Sequence, residues 1–282
     1  MFKSTTSALA LSLFTTITCL PSAADSFFFS TGNPDGKIAT LSRPASPGKL
    51  ETETADDFVL NQATTINQAT FTGMLPTGAS LTSVTDVEIE LYHVFPKDSA
   101  NPPDGRVMTR VNSPSDNQFA AFDSAAGALK YTTTLLNRSF SVANTVVNGI
   151  NAAPNQFTGG EGAATGEEVR FSIDFTPSFT LPADHYFFRP EVELSDGNFL
   201  WLSAPRPIVA PGTPFTGDLQ SWIRNINLNP DWERIGTDIT GQGPFNAAFS
   251  LTGETVPEPA TYGLLGGALS LLAIFRSRLR SN

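Results

Sequence analysis

The segment Val-Arg-Phe-Ser-Ile-Asp-Phe, residues 169–175, alternates apolar and polar side chains without interruption. Successive side chains of a β-strand point to opposite faces of a sheet, so this period of two predicts a half-buried strand. The same period recurs at 87–95, at 186–194 and at 245–251. Because the segments between them contain no long amphipathic helix pattern, the sequence predicts an all-β fold.

Shorter elements fill the rest of the chain. Residues 199–202 are apolar throughout, which predicts a strand covered on both faces. Short helices are predicted only at Ala143–Ile150 and Asp218–Asn225, and Asn151–Gly166 is predicted to be a long surface loop. Further short strands are predicted at 27–30, 37–41, 57–60, 69–74, 107–111 and 139–143.

Turn residues separate these strands. Asp stands before Gly at Asp35, Asp104 and Asp196, which is typical of tight turns. Many short strands joined by such turns are typical of a two-sheet antiparallel β-sandwich of jelly-roll type, and we predict that fold for residues 25–255.

The N-terminus has the features of a secretory signal peptide. Lys3 provides the positive charge, Ala8–Leu20 is largely apolar, and small residues precede Asp25, so we predict a signal peptide at 1–24. A lipoprotein acylated at Cys19 is the alternative, although the residues before Cys19 fit the usual lipoprotein pattern poorly. Cys19 is the only cysteine, so the exported body would fold without disulfides.

The C-terminal segment 256–282 combines a proline-rich motif, an apolar stretch and a basic end. Two prolines in Val256–Pro259 exclude a regular helix there, and Ala260–Phe275 has no charged side chain. Sixteen helical residues span about 24 Å, and arginine side chains can extend that reach towards the roughly 30 Å of a bilayer core. We predict a transmembrane helix at 260–275 with a cytoplasmic C-terminus, rather than a buried helix of the body. The motif consists of Val256, Pro257, Glu258 and Pro259, and the basic end of Arg276, Arg278 and Arg280.

In the order of these features, residues 256–282 resemble the PEP-CTERM sorting signal of Gram-negative bacteria. The resemblance implies an exosortase-like processing enzyme as partner, transient anchoring in the inner membrane, and release to the cell surface or the extracellular space. It also implies a bacterium that makes exopolysaccharide. Patches at 55–60, 69–73 and 245–253 loosely resemble β-sandwich domains found ahead of such signals, which implies a fold and no activity.

The net charge and the absence of catalytic motifs exclude several classes of function. The chain has 17 basic and 27 acidic residues, and its body is more acidic still because Lys3 and the tail arginines lie outside it. Such a body repels nucleic acid and anionic lipid, so we predict no nucleic-acid partner. The chain contains no Gly-x-Ser-x-Gly, His-Glu-x-x-His or Walker motif, and it has only two histidines. We therefore predict a protein that is not an enzyme and needs no cofactor, calcium excepted.

The carboxylates suggest two kinds of site. The densest group is Glu51, Glu53, Asp56 and Asp57, which is either a calcium site or, as the sequence favours, a solvated loop before a strand. The pairs Glu88 with Glu90 and Glu191 with Glu193 have the residue types of a glycosidase. Alternation explains both pairs as the solvent-facing side of an antiparallel sheet.

The aromatic and histidine residues give the remaining candidates. Trp201 lies in an apolar strand and is predicted to be core, whereas Trp222 and Trp232 lie in polar sequence and are candidates for stacking on a sugar. His93 is predicted at the core or a sheet edge, and His185 is predicted to be solvated beside Asp184.

These features lead to one functional prediction with two alternatives. We predict an exported, surface- or matrix-sorted protein without enzymatic activity, a component of the extracellular polysaccharide of a biofilm matrix. The first alternative is a carbohydrate-binding module that uses Trp222, Trp232 and calcium. A glycan-degrading enzyme is the second alternative.

Overall fold

The computed structural model describes residues 24–99, 110–150, 157–205 and 220–257. The predicted signal peptide, the apolar stretch 260–275 and the terminal arginines lie outside these residues, apart from Ala24. In the described part, the strands from the N-terminus to the middle of the chain are β1 (Ser26–Ser30), β2 (Ile38–Leu41), β3 (Thr52–Leu60), β4 (Thr64–Pro76), β5 (Val84–Val94), β6 (Pro114–Asp123), β7 (Leu129–Val142) and β8 (Asn144–Val146).

The second half continues with long strands followed by short ones. The strands are β9 (Ala164–Leu181), β10 (Asp184–Leu194), β11 (Leu200–Ala204), β12 (Trp222–Asn225), β13 (Glu233–Arg234), β14 (Asn246–Ala247) and β15 (Phe249–Thr255). One 3₁₀ turn (Leu81–Ser83) and one π-helical turn (Ile235–Ile239) are the helical elements of the described residues. Neither they nor any other described segment is a helix of the length and apolarity needed to cross a bilayer.

The strands form two sheets, so the all-β prediction is confirmed. In the first sheet, β4 pairs with β9 on one side and with β15 and β11 on the other, and β7, β1, β2, β8 and β14 complete it. The second sheet has the order β13-β12-β3-β10-β5-β6. Within the described residues all strand pairs are antiparallel except one: β8 lies parallel to β2, in register from Ile38 opposite Asn144. The purely antiparallel arrangement that we predicted is therefore wrong at this edge.

A shared apolar core fills the space between the two sheets. Phe188 of the second sheet stacks on Phe249 of the first, with ring centroids 5.1 Å apart, and Phe122 of β6 stacks on Phe179 of β9 at 4.6 Å. Each fully buried large apolar side chain stabilises the fold by about 1.5–3 kcal/mol. The period-two apolar positions of 169–175 all belong to this core, as predicted: Val169, Phe171, Ile173 and Phe175.

Strand β11 confirms the prediction of a strand covered on both faces. Trp201 points into the core between the sheets and is fully buried. Leu202, its neighbour, points to the opposite face and packs with Ala39, Met74 and Val142. The indole nitrogen of Trp201 donates a hydrogen bond of 3.0 Å to the carbonyl of Ala248, which satisfies the polar atom of this core side chain.

Both predicted helices are wrong. The segment 143–150 contains β8, and the described part of 218–225 contains β12, which pairs with β3 from Trp222 opposite Ala55 to Asn225 opposite Thr52. Pairing with a distant strand outweighs the weak helical preference of such short segments. The predicted long loop is shorter than 151–166, since β9 begins at Ala164; residues 151–156 and most of the strand predicted at 107–111 lie outside the described residues.

Candidate functional site

The outer side of the second sheet carries charged side chains, and the structure buries them. Register places Arg189 opposite Glu90 and Arg224 opposite Glu53, all on the side away from the shared core. None of these four residues is more than 6% exposed. We call the group the charged cluster; its members are Glu51, Glu53, Glu88, Glu90, Tyr92, Arg189, Glu191 and Arg224.

Two segments contact this side of the sheet: residues 110–118, which include the beginning of β6, and the loop residues 226–232. Trp232 is fully buried, and its indole nitrogen donates a 3.2 Å hydrogen bond to the carbonyl of Ser115. Arg110 joins the two segments through ion pairs to Asp116 and Asp231. Much of the outer face of this sheet is therefore covered by other parts of the chain and buried from water.

Arg224 connects the sheet to the covering segments. Its Nε and Nη2 donate to the two carboxylate oxygens of Glu53, and Nη2 also lies 3.2 Å from the hydroxyl of Tyr92. Its guanidinium lies 4.3 Å from the ring centroid of Trp232, and Nη1 donates to the carbonyl of Asp116 at 3.1 Å. A bidentate pair with additional bonds of this kind is the arrangement in which a buried arginine is best compensated.

Arg189 is shared among several carboxylates. Its Nη2 contacts Glu90 and lies 3.3 Å from Oε1 of Glu53, and its Nη1 contacts Glu191. The two arginines carry two positive charges, while the cluster contains five glutamates. Charges buried at low dielectric without compensation are strongly unfavourable. The cluster must therefore hold protons on some of its carboxyl groups.

The pKa values of the glutamates agree with this requirement. Burial, together with the neighbouring carboxylates, raises the pKa of Glu191 well above its ordinary value, although Arg189 acts in the opposite direction. Burial and the nearby Glu90 raise the pKa of Glu88 to about 7. For Glu53, burial alone would raise the pKa, but Arg189 and Arg224 outweigh it and lower the pKa. The carboxyl protons of the cluster are therefore held by glutamates other than Glu53.

We expect the stability of the protein to decrease as the pH rises from about 4.5 to about 7. In the unfolded chain Glu88 loses its proton near pH 4.5, whereas the folded protein retains it up to about pH 7. Between these values the folded state binds more protons, so the free energy of unfolding falls with rising pH. Urea unfolding of the wild type and of Glu88→Gln at a series of pH values tests this.

Glu88→Gln should show a weaker dependence on pH in this window, because its side chain cannot titrate. Glu254→Gln, which changes an exposed carboxylate of β15, is the matched control and should keep the wild-type slope. An identical slope in wild type and Glu88→Gln would contradict the prediction.

A polar cavity opens beside the charged cluster. Its volume is about 240 Å³, and Glu53, Glu90 and Arg189 are among the buried residues that line it. Asn117 and Gln118, which are exposed, also line it. Every residue that lines the cavity carries a polar group, so the cavity suits a ligand recognised by hydrogen bonds.

The exposure that we predicted for Trp222 and Trp232 is wrong. Both side chains are fully buried and pack with Ala55, Tyr92 and Phe187 on the covered side of the second sheet. No face of either ring is free to stack on a sugar. The polar residues next to them in the sequence are themselves buried, so a polar local composition did not indicate exposure.

The four carboxylates of the calcium hypothesis, Glu51, Glu53, Asp56 and Asp57, do not converge on one point. Alternation along β3 directs Glu53 and Asp57 to the outer side, whereas Asp56 points inward and accepts a 2.7 Å hydrogen bond from the backbone of Ala247. These carboxylates diverge, and within the described ranges no three metal-ligating side chains of the His, Cys, Asp or Glu type come together. The favoured alternative, a solvated loop, is wrong, since Glu53, Asp56 and Asp57 are buried in the strand.

The histidines and paired carboxylates differ from expectation in part. His93 is half-buried and packs against Phe119 and Tyr186 of the shared core, and it is not on an edge strand because β5 pairs with both β10 and β6. His185 is not fully solvated: its Nε2 lies 3.1 Å from the carboxylate of the buried Asp57. Glu90 and Glu191, predicted to face solvent, are buried in the charged cluster.

Sequence reasoning missed the arginines of the site altogether. Arg189 and Arg224 each stand in a short segment between large apolar residues, and that is the one signal that could have identified them. An arginine in such a position, with several glutamates on neighbouring strands, fits a buried ion-pair group as well as it fits a solvent-facing polar side of a sheet. Comparison with known proteins adds no assignment, because no family model, curated protein or solved structure matches this chain.

Proposed function

We propose that this protein is exported by its N-terminal signal peptide and sorted to the cell surface by its C-terminal segment, where it serves as a non-enzymatic component of the polysaccharide matrix. The observation that carries the proposal is where the folded body begins and ends. Among the described residues, the first strand starts at Ser26 and the last ends at Thr255, immediately inside the two segments proposed for removal.

The two ends of the body support removal of both segments. Strands β1 and β15 pair with each other from Ser26 opposite Glu254 to Ser30 opposite Ser250. Val256 is exposed, and one backbone hydrogen bond of 2.8 Å connects its amide to Ala63. Cleavage after Ala24 and near Pro257–Pro259 would therefore leave every described strand in place.

The proposed body is a β-sandwich of jelly-roll type. The facing core of the two sheets and the predominance of antiparallel pairs support this architecture. Its acidity and its lack of cysteine suit a matrix protein that avoids anionic partners and folds in an oxidising compartment. The proposed partners are an exosortase-like enzyme during sorting and exopolysaccharide afterwards.

We expect most mature molecules in the native host to end upstream of Ala260. Mass spectrometry of the intact protein from the cell surface and medium measures this end directly. Replacing Pro257, Glu258 and Pro259 by alanine should leave the C-terminal segment attached and keep the protein in the membrane fraction. Mature wild-type molecules that still end beyond Arg280 would refute the sorting proposal.

The carbohydrate-binding alternative is supported by a different site from the one predicted. The buried tryptophans remove its original basis, but the polar cavity beside the charged cluster has the size and lining of a small ligand site. This cavity is a more specific candidate than any motif in the sequence.

A further inference from the structure

We propose that the polar cavity beside the charged cluster binds one uncharged sugar ring, held by hydrogen bonds to charged and amide side chains and without aromatic stacking. This goes beyond the proposed function, because the cavity would bind a sugar whether or not the C-terminal segment directs sorting. It also assigns a site to residues that are distant from one another in the sequence.

The dimensions of the cavity select a small ligand. Its volume of about 240 Å³ lies just below the range of roughly 300–1,000 Å³ that is typical of sites for drug-sized molecules. A single ring fits this space, and a longer chain would have to extend out past Asn117 and Gln118. The polar lining leaves no apolar surface on which a hydrophobic ligand would gain by burial.

Two polar atoms in the lining residues have neither a hydrogen bond nor an ion pair within the part of the chain that the structure describes. They are Nε of Arg189, a donor, and Oδ2 of Asp116, an acceptor. Arg189 is 2% exposed and Asp116 is 8% exposed, so neither side chain is well hydrated. A buried polar group without a partner costs about 1–3 kcal/mol, and native proteins seldom tolerate two in one place.

A sugar satisfies both atoms with one kind of group. A hydroxyl donates one hydrogen bond and accepts others, so neighbouring hydroxyls of a ring could accept from Nε of Arg189 and donate to Asp116. The amide of Gln118 and the amide oxygen of Asn117 line the same cavity and add a donor and acceptors, since the amide nitrogen of Asn117 already donates to the carbonyl of Asp98. Hydrogen bonds to charged side chains are the stronger type, which suits a site that lacks a stacking surface.

The charge balance favours an uncharged ligand. An anionic sugar would approach Glu51, Glu53 and Glu90, and the two arginines are already engaged with glutamates of the cluster. A cation is less favoured as well, because the raised pKa values of Glu88 and Glu191 reduce the negative charge of the cluster. A neutral hexose or N-acetylhexosamine avoids both conflicts.

Equilibrium dialysis of the full-length protein tests the site directly. The protein is purified in a zwitterionic detergent without a sugar headgroup and dialysed against radiolabelled glucose, galactose, mannose, N-acetylglucosamine and N-acetylgalactosamine. Glucuronic acid and glucosamine serve as the anionic and cationic probes. We expect at least one neutral sugar to bind with one site per chain, and at least tenfold more tightly than either charged probe.

Two substitutions at the exposed rim locate the binding. Gln118→Trp and, independently, Asn117→Trp should place a bulky ring at the opening and weaken binding at least tenfold. Gln62→Trp makes the same kind of change at an exposed turn residue outside the cavity lining and should bind as the wild type does. Circular dichroism and thermal unfolding establish that each variant is folded.

Three results would overturn the proposal. The first is that no neutral sugar binds when it is in 20-fold excess over protein at millimolar concentration. The second is that the wild type and both rim variants bind equally well. The third is that glucosamine or glucuronic acid binds more tightly than every neutral sugar. None of them bears on C-terminal processing, so a failure here leaves the sorting proposal standing, and a failure of processing leaves this site unaffected.

Discussion

Replacing Arg189 by methionine is expected to lower the free energy of unfolding by about 3–5 kcal/mol. The guanidinium contacts Glu53, Glu90 and Glu191, and all of these side chains are buried. Removing it leaves carboxylates in a low-dielectric interior with one positive charge fewer, so they must either stay ionised without a partner or take up further protons. Urea unfolding at neutral pH measures the loss.

Arg170→Met is the matched control for this experiment. Arg170 lies in β9 on the exposed side of the first sheet, so the same change of side chain should alter stability by no more than about 0.5 kcal/mol. If Arg189→Met were as mild as Arg170→Met, the buried ion-pair description would be wrong. Adding Glu191→Gln to Arg189→Met should recover part of the loss, because it removes one of the carboxylates left without compensation.

Truncating Trp222 or Trp232 to alanine is expected to destabilise the protein by about 3–5 kcal/mol each, as for any fully buried large aromatic residue. Trp201→Ala should have an effect of similar size. These expectations contrast with the hypothesis of exposed sugar-stacking tryptophans, which would leave stability nearly unchanged. Thermal and urea unfolding of the three single variants decide between the two.

Phe28→Ala provides the reference for an exposed aromatic residue. Phe28 is 65% exposed on β1, so its truncation should change stability little. Trp232→Phe should cost more than Trp222→Phe, because only Trp232 loses a hydrogen bond from its indole nitrogen, the one to Ser115. Trp222→Ala or Trp232→Ala behaving like Phe28→Ala would contradict the buried positions.

Three of the long strands, β5, β9 and β10, could be predicted from the sequence because their signal is local, whereas β6 and residues 129–138 of β7 were not predicted. In 169–175 and 87–95, the alternation shows which side chains face the shared core, and the structure places 169–175 in β9 and 87–94 in β5. The helices predicted at 143–150 and 218–225 failed for the opposite reason. Those segments have weak local preferences, and their conformation depends on pairing with β2 and β3.

The candidate site could not be predicted for a different reason. Glu90, Glu191 and Glu53 sit at the polar positions of alternating strands, and a polar position ordinarily faces water. Whether it does so depends on what covers the sheet, and here residues 110–118 and 226–232 cover it from far along the chain. Composition placed Trp222 and Trp232 among polar residues and therefore at the surface, although those polar residues are themselves interior.

The sequence by itself determined the all-β character of the body and the positions of three of its long strands, β5, β9 and β10. Each of these depends on neighbouring residues, through the direction of successive side chains. Only the tertiary structure decided that the outer side of the second sheet is an interior with Arg189 and Arg224 among the glutamates. Burial is a property of distant segments brought together, and no local pattern encodes which polar face another part of the chain will cover.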